Sequence, residues 1–321
     1  MKKTAMITGI TGQDGAYLAK LLLKKEYIVV GLLRNLNIKN IFALEYLGVE
    51  NDIIFDSCDL DSFESVFKLV KKYNPKEIYN MAAQSSVGLS FENPLATISF
   101  NVNSVVNILE SIRLFNNKIK FYQASSSEMI GKINDLPLNE NSIFHPMSPY
   151  GISKAAAHWT TVNYRESYGI FATSGILFNH ESFLRKNNFF IKKVIRQSLE
   201  IIQGKRSSLI VGNVDVKRDF GYAPKYVEAI YLMMQHEFPS DYVICSGKSI
   251  SLREIIEYVF LKLDISKTKL IIEEKFFRPN EIYNIYGDSS KAKKVLKWEY
   301  DFDFYDIIDL LIEEERNFLL N

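Results

Sequence analysis

The sequence predicts an α/β fold built on a doubly wound parallel sheet, with a smaller α/β C-terminal domain. Three observations lead there. Short apolar runs alternate with helix-length amphipathic segments through the first half of the chain. Most of those runs are near-continuous in apolar residues, as strands buried on both faces must be. The first run also enters the first helix through a glycine-rich turn.

Thr4–Thr8 reads as the first buried strand and Tyr17–Lys25 as the first helix, with Leu18, Leu21, Leu22 and Leu23 as its apolar stripe. Tyr27–Leu33 and Ile53–Phe55 follow as strands, then Phe63–Tyr73 as a helix, Glu77–Met81 as a strand and Pro94–Phe115 as a long helix. Lys120–Ala124 reads as the fifth strand, Ser148–Tyr168 as a helix and Ala172–Phe178 as the sixth strand. Beyond about residue 180 the alternation loosens. Helices are expected over Arg185–Gln203, Lys225–His236, Leu252–Leu263 and Tyr305–Phe318, with one strand at Ser208–Val211. No Pro/Ser/Gly linker and no internal repeat interrupts the chain. The expected division is a first domain at residues 1–178 and a second mainly at 179–321, with segments near 225–245 and 282–290 returning to the first.

The 321 residues are 47% hydrophobic and 24% charged, with a net charge of +1. That balance is globular and gives no basis for nucleic-acid binding, which needs a basic face. Cys58 and Cys245 sit in no C-x-x-C motif, and the four histidines are scattered. No metal is expected, and a reducing, cytoplasmic setting is the simpler reading. No apolar stretch reaches 18 residues, so no membrane span is expected. The N-terminal apolar run, broken by Gly9, Gly12, Gln13 and Asp14, is too short for a secretion signal.

The turn Thr8-Gly9-Ile10-Thr11-Gly12-Gln13-Asp14-Gly15 carries glycines at G-x-x-G-x-x-G. Small residues there let backbone N–H groups at a helix N-terminus approach a pyrophosphate, which makes the fold Rossmann-type and its ligand a dinucleotide. A plain strand-to-helix turn remains the alternative, since the spacing is not the common G-x-G-x-x-G. After the second strand stands Arg34, with no acid at the strand end. An acid would bind the ribose 2′-OH of NAD; Arg suits the 2′-phosphate of NADP. Asp59 and Leu60 after the third strand suit contact with adenine.

Tyr150 and Lys154 form a Y-x-x-x-K pair on a helix, so both side chains share one face. The expectation is that the Lys154 ammonium lowers the Tyr150 phenol pKa, making it a base for a sugar hydroxyl. Ser125-Ser126-Ser127-Glu128 follows the fifth strand at the carboxyl end of the sheet, where reactive groups belong. Ser126 can hold the oxygen that Tyr150 deprotonates, and Glu128 can take a proton from carbon. A loop serine run with a solvated glutamate is the plain reading of that segment alone.

Together these residues resemble the GDP-mannose 4,6-dehydratase family of extended short-chain dehydrogenases/reductases. The matching segments run almost end to end: Gly9-Ile-Thr-Gly-Gln-Asp-Gly15, Asn80-Met-Ala-Ala-Gln-Ser85, Phe121-Tyr-Gln-Ala-Ser-Ser-Ser-Glu128, Ser148-Pro-Tyr-Gly-Ile-Ser-Lys154, Val162-Asn-Tyr-Arg-Glu166, Gly175-Ile-Leu-Phe-Asn-His-Glu-Ser182, Gly212-Asn-Val-Asp-Val-Lys-Arg-Asp219 and Phe277-Arg-Pro-Asn-Glu281. The resemblance implies that Tyr150, with Ser126 and Lys154, deprotonates the sugar 4-hydroxyl while NADP takes the C4 hydride. Glu128 then removes the C5 proton, the C6 hydroxyl leaves as water, and the hydride returns to C6. It also implies cofactor contacts at Ala82, Ala83, Leu177, His180 and Arg185. For the GDP-sugar it implies contacts at Ser85, Asn179, Lys193, Gly212, Arg218, Arg278 and Glu281. Two arginines near a pyrophosphate make chemical sense as charge-assisted partners, although surface ion pairing reads Arg218 equally well.

The sequence departs from the family at several places. One arginine, Arg34, is followed by Asn35 where the family has two arginines, and the segment from Asn35 to Asn51 is shorter. Ser86 replaces a usual His, Phe183-Leu-Arg-Lys186 replaces Pro-Arg-Arg-Gly, and Asn280 replaces a Thr. The changes at 86, 183–186 and 280 fit GDP-mannose or a close relative such as a modified GDP-hexose or GDP-manno-heptose, and leave room for a different nucleotide. The shorter segment favours a homodimer through the two long helices over a homotetramer. An NADP-dependent 4-reductase or epimerase of the same fold is the alternative activity, and Glu128 argues against it. A non-enzymatic NADP-binding protein predicts a damaged Tyr150/Lys154/Glu128 set, which is intact.

Overall fold

The computed structural model describes residues 2–37, 40–132 and 135–320; residues 38 and 39, inside the shortened segment 35–51, lie outside the described residues. The chain runs β1 (Thr4–Thr8), α1 (Gln13–Lys24), β2 (Ile28–Leu33), α2 (Phe42–Leu47), β3 (Ile53–Ser57), α3 (Phe63–Tyr73), β4 (Glu77–Asn80), α4 (Val87–Glu92), α5 (Pro94–Phe115), β5 (Lys120–Ser126), α6 (Pro149–Tyr168) and β6 (Ala172–Leu177). It continues β7 (Asn179–Glu181), α7 (Phe190–Ile202), β8 (Leu209–Val211), β9 (Lys217–Tyr222), α8 (Ala223–Gln235), β10 (Asp241–Ile244), β11 (Ser249–Ser251), α9 (Leu252–Lys262), β12 (Leu270–Ile272), β13 (Asn284–Ile285) and α10 (Phe304–Leu320).

Seven parallel strands form the main sheet in the order β10-β6-β5-β4-β1-β2-β3. The order reverses between β1 and β4, so a crevice opens at their carboxyl ends, where such sheets bind ligands. On one face, α3, α5 and α6 bury Val66, Leu69, Ile108, Ile112 and Ala157 against Met6, Val30 and Phe121 of the strands. On the other, Ala16, Leu22, Ile230 and Met233 of α1 and α8 join a core that continues without a break into Val194, Ile256 and Ile308. The C-terminal elements therefore share a core with the sheet. They add a small sheet in which β9 pairs with β7, β11 and β13, and a ribbon of β8 with β12. Among the described residues no helix is long and apolar enough to cross a membrane.

Several sequence expectations need correction. Helix α1 begins at Gln13, not Tyr17, because Gly12 takes an extended conformation (φ −79°, ψ 168°) and releases the chain directly into the helix. Gln13, Asp14 and Gly15 thus form its first turn. Helix α7 begins at Phe190 rather than Arg185, because residues 182–189 close two turns, Arg185 N to Ser182 O at 3.1 Å and Phe189 N to Lys186 O at 3.1 Å. Strand β10 was not expected, since its four residues are too few to show a period. Strand β9 was hidden for a different reason: Lys217-Arg-Asp reads as a polar loop.

The polar residues of β9 instead serve burial. Asp219 is fully buried and accepts from Ser246 N (2.8 Å), Ser246 Oγ (2.7 Å), Gly247 N (2.9 Å) and Gly287 N (3.3 Å). Burial pushes its pKa up to about 6, against the pull of those donors. The carboxylate thus ties β9 to the turn after β10 and to the chain just after β13. Asp219→Ala leaves three backbone N–H groups buried without an acceptor, which costs about 3–5 kcal/mol. We expect a clearly lower thermal midpoint by calorimetry; an unchanged midpoint refutes this account of Asp219.

Candidate active site

Gly9 has φ +66°, and a Cβ there would lie 2.8 Å from Ala82 N and 2.9 Å from Met81 C, so only glycine permits the approach of this turn to the end of β4. A Cβ on Gly15 would lie 2.4 Å from Gly9 O and 2.7 Å from Ile10 Cα. Thr8 Oγ1 fixes the same junction, donating to Asn80 Oδ1 at 2.6 Å and accepting from Met81 N and Ala82 N at 3.1 Å each. Gly12, the N-cap, supplies no side-chain cap. The first N–H groups of α1 are left facing the crevice, ready for an anion.

The side chains of Gln13 and Asp14 are engaged within the protein. Gln13 Nε2 donates to His180 O (3.1 Å) and its Oε1 accepts from Ser182 Oγ (2.7 Å). His180 donates through Nε2 to Asp14 (2.9 Å) and through Nδ1 to Phe178 O (2.7 Å). Against burial, which works the other way, the charge and hydrogen bond of His180 pull the Asp14 pKa down to about 2. These two residues and His180 therefore brace the turn against β7, and what the turn offers a ligand is backbone. Leu177 closes β6 on the same side of the sheet, and Thr11 stays partly exposed beside Gly12.

At the ends of β2 and β3, Arg34 and Asp59 line an open cleft with Gln84, Asn93, Thr97 and Phe100. The Arg34 guanidinium lies over the Phe100 ring, 4.7 Å from its centre. Leu60 is buried beside it, its carbonyl taken by Asn107 Nδ2 at 2.9 Å. Ala83 and Ser85 continue the chain after β4 towards Gln84 and Ser86. The sequence reading missed Gln84 and Phe100: an apolar residue on a helix at core spacing carries no mark of a site.

Helix α6 and the end of β5 bring Ser126, Glu128, Tyr150 and Lys154 together. Ser148 caps α6, accepting from Gly151 N at 3.0 Å, and Pro149 occupies its first turn. Ser126 Oγ accepts from Glu128 N at 3.3 Å and its hydroxyl also bonds the Tyr150 phenol. Lys154 Nζ donates to Ala124 O at 2.8 Å and lies 5.8 Å from the centre of the Tyr150 ring. The expected lowering of the Tyr150 pKa is not what this arrangement gives. Burial pushes the phenol up to about 12; the Ser126 bond opposes it and Glu128 adds to it. Burial also brings Lys154 down to about 8. Removal from water outweighs mutual attraction because the Lys154 ammonium is aimed at a carbonyl, not at the phenol oxygen.

The second part of the chain supplies charge to the same place. Arg218 is buried and donates to Ile282 O (2.6 Å) and Glu281 Oε1 (2.9 Å), so the surface-pair reading is excluded. Arg278 Nη1 lies 3.9 Å from both Glu128 Oε1 and Glu281 Oε1. Arg278, Glu281 and Arg218 thus reach Glu128 as one charged cluster. Asn179 Nδ2 donates to Asp219 O at 3.4 Å. Lys193 and Gly212 form a separate group around Phe276: Lys193 Nζ bonds Ile210 O (2.8 Å) and lies 5.7 Å from the Phe276 ring centre, and a Cβ on Gly212 would meet Phe276 O at 2.5 Å. Arg185 stacks on Phe189 at 3.8 Å and pairs with Glu181 at 3.6 Å.

With this geometry in place, comparison with known proteins is decisive. A family model described as GDP-mannose 4,6 dehydratase matches residues 6–311. The chain belongs to the GDP-mannose 4,6-dehydratase family. Among curated relatives, GDP-mannose 4,6 dehydratase 1 of Arabidopsis thaliana is 40% identical over 98% of this chain and 90% of its own length. The Homo sapiens GDP-mannose 4,6 dehydratase is 37% identical over 98% and 91%. Solved structures share the fold: dTDP-glucose 4,6-dehydratase DesIV of Streptomyces venezuelae, with NAD and TYD bound, superposes with a TM-score of 0.88 at 18% identity, covering 98% of this chain and 97% of its own. A Thermotoga maritima UDP-glucose 4-epimerase with UDP-glucose gives 0.87 at 20% identity, covering 98% and 99%. Family membership accounts for the site's position at the carboxyl end of the sheet.

Burial of Lys154 predicts a pH signature. Its folded pKa, about 8, lies below the ordinary 10.5, so between those values the folded chain binds fewer protons than the unfolded one. Stability then rises with pH across that window through this group. Lys154→Met should remove about 3 kcal/mol of that rise, read as the difference between wild-type and variant denaturant midpoints at pH 8 and pH 10.5. Parallel midpoints at the two pH values count against a desolvated Lys154.

Proposed function

We propose that this chain is an NADP-dependent nucleotide-sugar 4,6-dehydratase acting on GDP-mannose or a close relative such as GDP-manno-heptose. The observation that carries this reading is Glu128, held beside Ser126 and Tyr150 on one side and 3.9 Å from Arg278 on the other. A dehydratase needs a carboxylate there to take a proton from carbon; a reductase or epimerase does not. The family membership and the names of the relatives support the same reading.

The residues fit a dinucleotide: a turn with backbone N–H groups free at a helix start, glycines that no Cβ could replace, and Arg34 beside Phe100 at the ribose end. Arg34 favours NADP over NAD. When bound, the cofactor accepts hydride from sugar C4 and returns it to C6. Ser126 and Tyr150 hold the 4-hydroxyl, and Tyr150, as its phenolate, takes the proton; burial disfavours that form, so positive charge near the phenol has to restore it. The 4-ketone so formed acidifies the C5 hydrogen. Glu128 accepts that proton and passes it to the departing C6 hydroxyl, so water leaves. Tyr150 then returns its proton towards C5, and the net change is loss of one water. Lys154 holds the Ala124 carbonyl and adds positive charge near the phenol. Arg218, Arg278, Glu281, Asn179, Lys193 and Gly212 are assigned to the GDP-sugar, with Lys193 and Phe276 at its nucleoside end. The sheet domain then holds the cofactor, and the C-terminal elements hold the sugar nucleotide. Exposed Leu95 on α5, and Ile152 and Trp159 on α6, favour a homodimer through those helices.

The test is mass spectrometry of GDP-mannose and GDP-manno-heptose incubated with the protein and catalytic NADP. We expect loss of about 18 mass units from one of them with no net NADPH. Glu128→Gln should bind NADP normally and lose at least about a hundredfold in turnover. Net NADPH consumption without loss of water would move the chain to the reductases.

Gly15→Ala offers a separate check on the cofactor site. Its Cβ meets backbone 2.4 Å away, so the turn must shift. NADP affinity should fall roughly tenfold or more in a fluorescence titration; retained affinity would show that the dinucleotide lies elsewhere.

A further inference from the structure

Three residues of α6 touch the segment 124–128 at successive heights. Gly151 lies against the Glu128 carbonyl, so closely that a Cβ would be 2.6 Å from its oxygen. One turn on, Lys154 holds the Ala124 carbonyl at 2.8 Å. One turn further, His158 Nδ1 meets Ser125 Oγ at 3.1 Å. Gly151 and Lys154 lie within the matched Tyr-x-x-x-Lys segment; His158 lies outside it, and nothing in the reaction above uses it.

His158 is itself held. It is buried, its Nε2 is 4.0 Å from Asp241 Oδ2, and its ring packs edge-on to Phe144 at 5.3 Å. Asp241 opens β10 and is gripped by Arg165, also on α6, at 3.0 and 2.7 Å. Ser125 is buried too, and its hydroxyl is turned to His158 on α6. The chain Ser125–His158–Asp241–Arg165 therefore runs away from the substrate, from the last turn of β5 to the edge strand.

We infer that His158 is a positioning residue: through Nδ1 it fixes the Ser125 side chain and so sets where Ser126 and Glu128, the next residues on either side of the strand end, meet Tyr150. The physical reason is leverage. β5 keeps its ladder with β6 only as far as Ser126, which pairs with Leu177; the single turn Ser127–Met129 that follows lies beyond the ladder, and α6 reaches this junction from 124 to 128. Lys154 grips the backbone at 124 and Gly151 abuts it at 128. The Ser125 side chain, between the two, adds a third hold from α6 at the last rungs of the ladder, next to the turn that carries Glu128. Misplacing a base by about 1 Å costs on the order of a hundredfold in rate.

This inference rests on the dehydratase reading for its kinetic consequence, but its structural core can be measured without turnover. Four variants separate the cases. His158→Asn keeps a polar atom at the δ position, opposite Ser125; His158→Gln keeps one at the ε position, towards Asp241. The pair Ser125→Ala/His158→Phe removes both partners together, which leaves no buried group unsatisfied and so preserves folding. Ser125→Ala alone isolates the loss of the serine hydroxyl.

Amide exchange by mass spectrometry reads the clamp directly. We expect residues 124–129 to exchange roughly tenfold or more faster in the double variant and in His158→Gln, and at the wild-type rate in His158→Asn. With a GDP-sugar that the wild type dehydrates, kcat should fall roughly tenfold in the same two variants while KM and NADP affinity stay within about twofold. Wild-type exchange in the double variant, or equal behaviour of the Asn and Gln variants, overturns the inference. If the wild type releases no water from any GDP-sugar, the functional reading fails, and the exchange rates still decide whether His158 sets this segment.

Discussion

Asp219 lies in the middle of β9 with its carboxylate fully out of water, and two separate segments converge on it to donate. A buried carboxylate is costly unless every oxygen lone pair is used, and here the donors come from the turn after the last strand of the main sheet, from the chain after β13, and from no solvent. The small sheet can therefore assemble in one way only. Its neighbour in sequence, Arg218, is held just as firmly by Ile282 O and Glu281. The position of Glu281, and with it Arg278, follows from that. The charge facing Glu128 is thus set from the strand that Asp219 locks in place.

Within the site, removal from water decides the protonation states. Tyr150 and Lys154 are drawn in opposite directions by the same cause, the phenol up to about 12 and the ammonium down to about 8. Both shifts favour the neutral forms. Each additional positive charge placed near Tyr150 therefore acts on a phenol that starts above its ordinary value. Glu128, whose negative charge raises that phenol further, is opposed there by the positive charge of Arg185.

Much of the architecture was legible because its signals are local. The alternating apolar runs of the first half mark β1 to β6, and the Tyr150/Lys154 spacing marks one face of α6. The glycine turn was legible as a phosphate site because its strand and helix flank it. What stayed hidden shares a physical reason: the information is not in the segment itself. Strand β10 is four residues long, and β9 begins Lys217-Arg-Asp, in which Arg218 and Asp219 are satisfied in the interior while Lys217 is exposed. The start of α7 was misplaced because Arg185 falls in a turn that reads as helix-compatible. Most instructive is the phenol. Sequence places Lys154 next to Tyr150, yet only coordinates reveal that the ammonium points at Ala124 O.

The contact between His180 and Asp14 bears on what the phosphate turn can accept. Both ring nitrogens of His180 face acceptors, a carbonyl and a carboxylate. The acid in the first turn of α1 is thereby engaged from behind, by His180 and by Gln13 Nε2. Left bare, that acid would repel an incoming diphosphate at the one spot where the helix start attracts it. The turn thus presents backbone N–H groups, rather than a free carboxylate, to whatever binds at the start of α1.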